Sequence, residues 1–207
     1  MNESNIKKMW DERFAAREYV YGKEPNAFFK NQLGYLTPGK ILMLADGEGR
    51  NGVYAAKCGW QVDAVDISSK AKEKALTLAA ENKVSINYTV TDILEFKAEN
   101  NSYDACAIFF LHLPYEEMED VAEKVLELLK PGGKLIVEAY DKDQLGKNSG
   151  GPKDPDLLYS LEDFVNYFSP LDFDLFKKET SVLSEGSLHQ GEAVTIRLVG
   201  TKPETVK

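Results

Sequence analysis

The sequence is poor in the residues that build metal centres and disulfide frameworks. Its 207 residues include two cysteines, Cys58 and Cys106, and two histidines, His112 and His189. No CxxC or HxxxH spacing is present, so no metal site is expected. Both cysteines fall in segments that read as a helix and a buried strand, where they are expected to pack as small apolar side chains. Hydrophobic runs are short: the longest unbroken one is Ala105 to Leu111, far below the roughly 20 residues of a membrane helix, and no membrane association is expected. Positive charge is in the minority, since 25 Lys and Arg against 34 Asp and Glu leave a net charge of −9. With no basic stripe to meet phosphates, nucleic acid is disfavoured and a small-molecule substrate is the expected partner. The opening Met1-Asn2-Glu3-Ser4-Asn5 lacks the basic and apolar regions of a secretory leader, so the expected compartment is the cytoplasm.

What is present suffices for a sizeable core. Apolar residues make up 43% and aromatics 11% of the chain, which excludes disorder and coiled coil, and the length suits one domain. From Lys40 to Tyr140 short apolar runs alternate with helix-period segments, the pattern of an α/β fold whose parallel sheet carries helices on both faces. Strands are expected at Ile41–Leu44, Val62–Val65, Ile86–Val90, Ala105–Phe110 and Leu135–Ala139. Between them lie a helix through Val53 to Lys57, a Ser68-capped helix carrying Ala71, Ala75, Leu78 and Ala79, and a helix from Pro114 that Pro131-Gly132-Gly133 stops. Residues 1–39 read as a helical lid or outer layer, 40–140 as a cofactor-binding core, and 141–207 as a long loop, a helix with a Ser160/Asp163 capping box, and an antiparallel pair. That pair is expected at Leu171–Leu175 and around Val194, Ile196 and Leu198, with His189 in the turn before the second strand.

The chemistry gathers at one turn. Gly47-Glu48-Gly49-Arg50-Asn51-Gly52 fits GxGxxG, follows a strand and opens a helix, a spacing that serves nucleoside cofactors of several kinds. Asp66 ends the second strand 19 residues after Gly47, where a carboxylate accepts from ribose hydroxyls. Charge separates the candidates. A pyrophosphate against this turn would meet the carboxylates of Asp46 and Glu48 at a Coulombic cost, whereas S-adenosylmethionine has no phosphate and carries a sulfonium and an ammonium. Asp92, after the third strand, is placed to accept from the adenine amino group while Ile93 packs on the ring. Ile67, beside Asp66, and Phe109, near the end of the fourth strand, complete the cofactor set.

These segments, with Val65-Asp66, Thr91-Asp92 and Leu129-Lys130-Pro131-Gly132-Gly133, resemble the class I S-adenosylmethionine-dependent methyltransferases. More narrowly the chain looks like their tellurite-resistance, TehB-like branch, through Trp10-Asp11-Glu12-Arg13-Phe14, Tyr19 to Gly22, Gly150-Gly151-Pro152-Lys153 and Leu188-His189-Gln190-Gly191. The resemblance implies a Rossmann-like seven-stranded sheet, five parallel strands followed by an antiparallel hairpin. Two departures stand out: Met43 and Ala45 occupy positions usually acidic and glycine, and Gln190 replaces the arginine that follows the histidine in the tellurite branch.

Methyl transfer from a sulfonium is an in-line displacement that needs positioning and a water-poor pocket more than a nucleophile. If the acceptor must lose a proton, His189 and His112 are the candidate bases. Arg13 and Tyr21 are placed to close over the methionine part of the cofactor, Arg13 pairing with its carboxylate. The acceptor is a thiol, a chalcogen oxyanion or another small metabolite. The alternatives are a nicotinamide-dependent oxidoreductase and a non-catalytic S-adenosylmethionine-binding module.

Overall fold

A computed structural model describes residues 3–204 of the chain. Met1 and Asn2, where the reading of a missing leader begins, lie outside them. The strands form one seven-stranded sheet in the order β3-β2-β1-β4-β5-β7-β6. By contact the chain divides into two compact units, Met1–Phe96 with Glu185–Leu188, and Lys97–Ser184 with His189–Lys207.

In the first unit β1 (Lys40–Leu44), β2 (Gln61–Asp66) and β3 (Asn87–Val90) pair in parallel, Leu44 opposite Val65 and Asp66 opposite Val90. Their apolar runs are buried, as strands covered on both faces must be. Helix α1 (Glu3–Phe14) and helix α2 (Ala27–Leu33) precede the sheet, while α3 (Arg50–Lys57) and α4 (Ser69–Glu81) connect its strands. Ser68 caps α4 by accepting the Ala71 N–H, as its sequence position predicts.

The second unit holds β4 (Tyr103–Phe109), α5 (Tyr115–Leu128), β5 (Leu129–Tyr140), α6 (Leu161–Phe168), β6 (Asp172–Glu185) and β7 (His189–Thr201). Strands β4 and β5 are parallel, and β7 runs antiparallel to β5 with Glu138 opposite Arg197. Several boundaries differ from the sequence reading. Pro131-Gly132-Gly133 interrupts no loop: β5 already begins at Leu129, and the register slips from Tyr103↔Leu129 to Ala105↔Lys134, so the Pro-Gly-Gly segment bulges within the strand. Strand β6 is 14 residues long, although alternation marked only its start. It ends the sheet, and an edge strand carrying the exposed Lys177 and Lys178 shows little hydrophobic period. His189 is the first residue of β7 instead of a turn residue.

Nor is Asp141 to Asp156 a plain loop. It contains 3₁₀ turns at Lys142–Gln144 and Pro155–Leu157. The buried Gln144 organises it by donating to Ser149 Oγ and the Gly150 carbonyl, both at 2.9 Å, while its Oε1 accepts the Val194 N–H at 2.9 Å. Gln144→Ala would orphan that amide. We expect a loss of about 1–3 kcal/mol, the usual cost of a buried unpaired donor, read by chemical denaturation, together with faster proteolytic cleavage between residues 145 and 156. Unchanged cleavage would refute the assigned role.

Candidate functional site

The first unit builds a turn at the carboxyl ends of β1 and β2, where ligands bind in open α/β sheets. Ala45, Gly47 and Gly49 all take positive φ, at 52°, 55° and 85°. Only glycine adopts this region freely, so Ala45 stands where a glycine would relax the chain. A Cβ at Gly49 would lie 2.6 Å from the Ala75 Cβ, which makes the bare backbone there the condition for α3 to pack on α4. Asp66 locks the turn to β2: its Oδ2 accepts the Gly47 N–H at 3.0 Å and its Oδ1 the Ser68 N–H at 2.9 Å. The Tyr88 hydroxyl donates to the Gly47 carbonyl at 2.7 Å.

Asp46 sits under the first turn of α3. Its Oδ1 accepts the Gly52 N–H at 3.2 Å, and its Oδ2 is buried with no hydrogen-bond partner among the described residues. The oxygen presses on Gly52 so closely that no side chain fits there. Burial raises the Asp46 carboxyl to about 8, against the pull of the Gly52 amide, with Asp66 adding to the rise and Arg50 opposing it. Burial likewise raises Asp66 to about 6, against its backbone hydrogen bonds. Glu48, 3% exposed, is engaged within the protein: it forms an ion pair with Lys74 and accepts the Tyr21 N–H at 3.3 Å. The Asp92 Oδ1 accepts the Leu94 N–H at 2.8 Å, and Asp92, Ile93 and Ile67 are all half-buried.

The N-terminal segment lies on this turn. Phe14 would touch a Cβ at Gly47 at 3.4 Å, and its ring meets Tyr21 edge-on. Arg13 donates to the Tyr21 hydroxyl at 3.1 Å, so these two sequence-predicted residues do come together. Asp11 accepts from Ser68 Oγ at 2.6 Å and from the Lys70 N–H at 3.1 Å, seating α1 on the start of α4. The sequence reading passed over Arg50, whose guanidinium donates to the Tyr21 carbonyl at 3.2 Å and pairs with Glu185 at 2.8 Å. No local signal marks that pair, because its members are 135 residues apart.

In the second unit the candidate histidines share one aromatic cluster at the carboxyl ends of β4 and β5. Phe110 follows β4 with φ 53°, a strained conformation for a bulky residue. Its ring centroid lies 4.5 Å from His189 and 4.7 Å from Tyr140, while His112 stacks on Tyr140 at 5.8 Å. The Tyr159 hydroxyl accepts the Leu113 N–H at 3.0 Å and fixes the segment that carries His112. His189 is 4% exposed, whereas His112 is half-buried. Phe109 is buried within β4. Among the described residues there is no group of three metal-ligating side chains, and no helix is long and apolar enough to cross a membrane.

Residues 41–133 match a family model described as "Methyltransferase domain". The chain is 32% identical over 129 residues to phosphoethanolamine N-methyltransferase 2 of Caenorhabditis elegans, a match covering 58% of this chain and 28% of that one. It spans under half the length of the curated relatives it matches. Magnesium protoporphyrin IX methyltransferase of Synechocystis, solved with bound SAH, superposes with a TM-score of 0.73 at 15% identity, covering 97% of this chain and 99% of that one. The fold is that of the class I S-adenosylmethionine-dependent methyltransferases. TehB of Haemophilus influenzae superposes at 0.71 and 15% identity, covering 95% of this chain and 66% of that one. The two structures stand at similar distance, so the likeness does not single out the tellurite-resistance branch.

The raised carboxyls of the class I turn give stability a definite pH dependence. The folded state keeps protons that the unfolded chain gives up near pH 4, so their stabilisation is complete below that pH. It is lost as pH rises through about 6 for Asp66 and about 8 for Asp46. Asp46→Asn, which mimics the protonated group, should remove the upper part of this decline. Between pH 5 and 8 its stability should fall less steeply than that of the wild type, by up to about 1.4 kcal/mol per pH unit. Parallel thermal melts of the two proteins across that range would contradict the assignment.

Proposed function

We propose that this chain transfers the methyl group of S-adenosylmethionine to a small-molecule acceptor, a thiol, a chalcogen oxyanion or another small metabolite, as one methyltransferase domain with residues 1–39 as its lid. The observation that carries this reading is an acid-lined glycine turn whose one arginine is already engaged. Arg50 is taken by Glu185 and the Tyr21 carbonyl, which leaves a pyrophosphate facing carboxylates. The residues present fit a phosphate-free cation: Asp66 keeps lone pairs beyond the two amides it accepts, and Asp46 holds a buried oxygen without a hydrogen-bond partner among the described residues.

Asp66 accepts from the ribose hydroxyls, Asp92 from the adenine amino group, and Ile67, Ile93 and Phe109 supply apolar contact to the nucleoside. Asp46 and Glu48 offer carboxyl oxygens at the turn, Asp46 gaining its charge only as pH rises through about 8 and Glu48 already balanced by Lys74, and Gly47 and Gly49 let its backbone approach. Arg13, aligned by Tyr21, pairs with the methionine carboxylate. When bound, the cofactor supplies a methyl group on a sulfonium, an electrophile that needs no covalent help from the protein. Of the two imidazoles His112 is the more exposed, and it takes the acceptor's proton where there is one to take. His189, enclosed by Phe110 and Tyr140, holds the aromatic wall in place. The reading extends to this chain what the matched relatives' names say of those proteins.

Calorimetry tests the cofactor: S-adenosylhomocysteine should bind and nicotinamide dinucleotides should not. Asp66→Ala should weaken that binding by about 1–3 kcal/mol, and tighter binding of a nicotinamide dinucleotide would overturn the proposal. On the acceptor side, His112→Ala should lower turnover by roughly 10²–10⁴-fold, the range of a general base, with cofactor affinity unmoved. His189→Ala should mainly cost stability, about 2–4 kcal/mol for a buried ring. A His112 variant that turns over at the wild-type rate between pH 6 and 9, on a protonated acceptor found by screening with labelled cofactor, would remove it from the mechanism.

A further inference from the structure

The tip of the β6–β7 hairpin, Glu185 to Leu188, joins the first compact unit although the rest of both strands belongs to the second. Its contacts there are specific. The Glu185 carboxylate is shared between Arg50 Nη2 at 2.8 Å and Asn26 Nδ2 at 3.0 Å. Gly186, with φ 59°, lies so close to the N-terminal segment that a Cβ on it would sit 2.5 Å from the Gly22 nitrogen and would overlap the Val20 carbonyl. The next amide, Ser187 N–H, donates to that carbonyl at 3.0 Å.

Every group that Glu185 holds acts in turn on the segment from Tyr19 to Asn26. Arg50 donates to the Tyr21 carbonyl, and the Asn26 N–H donates to Asn51 Oδ1 at 2.9 Å. At the other end Lys74 donates to the carbonyls of Ala16 and Glu18, and its ion-pair partner Glu48 accepts the Tyr21 N–H. Tyr21 is thus fixed at its nitrogen, its carbonyl and, through Arg13, its hydroxyl. The Arg50–Glu185 pair is nearly buried, with side chains 8% and 12% exposed, so it is screened far less than a surface pair.

We propose that Glu185 is a positioning residue for the cofactor: by fixing Arg50 and Asn26 from the hairpin tip it holds Tyr21 and Arg13 over the amino-acid half of the bound nucleoside. This rests on the reading of the turn as an S-adenosylmethionine site. Glu185 touches neither cofactor nor acceptor and acts through the lid. Its influence falls on the half of the ligand that Arg13 meets, and the nucleoside half, held by Asp66 and Asp92, is independent of it.

The test compares two ligands on the full chain. Glu185→Gln keeps the shape and an acceptor for Asn26 but loses the charge. Its affinity for S-adenosylhomocysteine should fall about tenfold, the scale of one charge-assisted hydrogen bond, while affinity for adenosine stays within twofold. Lys23→Ala removes the exposed Lys23–Glu81 pair on the same segment and should change neither. Equal loss for both ligands, as from general destabilisation, or no loss for either, would overturn the proposal. Hydrogen exchange on the unmodified protein guards against a variant that fails to fold. S-adenosylhomocysteine should slow exchange at Gly22 and Ser187 together, and protection of Gly22 with Ser187 unchanged would also overturn it. Should the wild type bind neither ligand, the cofactor reading itself falls, an outcome distinct from these.

Discussion

The carboxylate of Asp66 is the point on which the first unit turns. Accepting the amides of Gly47 and Ser68, it joins the end of β2 to the glycine turn on one side and to the start of α4 on the other. Ser68 then caps α4 and donates to Asp11, which brings α1 to the same place. A strand end, a turn and a helix start therefore share two oxygen atoms, and the N-terminal helix joins them through the Ser68 hydroxyl. Amide donors partly offset the desolvation of a carboxylate, and here that compensation is also what gives the turn its shape.

Acidic residues at this turn have two different fates. Glu48 is matched by Lys74 and spends its second oxygen on the Tyr21 N–H, so its charge is neutralised within the fold. Among the described residues Asp46 has only the Gly52 amide as hydrogen-bond donor, and burial raises its carboxyl to about 8. The electrostatic character of the turn thus depends on pH through Asp46. That residue departs from simple solvation, and the overall acidity of the chain gives no hint of it.

Much of this was legible in the order of residues. Strand β1 reads as a buried strand because Ile41 to Leu44 is an unbroken apolar run, and α4 reads as a helix because Ser68 caps a face of alanines. The spacing of 19 residues from Gly47 to Asp66, across one helix and one strand, marks a carboxylate at the turn but not the two amides it accepts. The edge strand β6 was only partly legible, since solvent on its open side relaxes the demand for alternation. The Arg50–Glu185 pair was not legible at all, because a long-range ion pair leaves no periodic trace. Helix α5 does end ahead of Pro131-Gly132-Gly133, but the start of β5 at Leu129 was not legible, because pairing with Tyr103 of β4 and not local residue type sets it.

Phe110 carries a consequence for how the acceptor side can vary. Its left-handed backbone favours glycine, yet its ring fills the space between His189 and Tyr140. Relaxing the main chain and filling the cluster are opposing demands on one residue. A glycine there would ease the turn after β4 and open a ring-sized hollow beside His189 and Tyr140. Position 110 therefore trades backbone strain against the filling of the aromatic cluster.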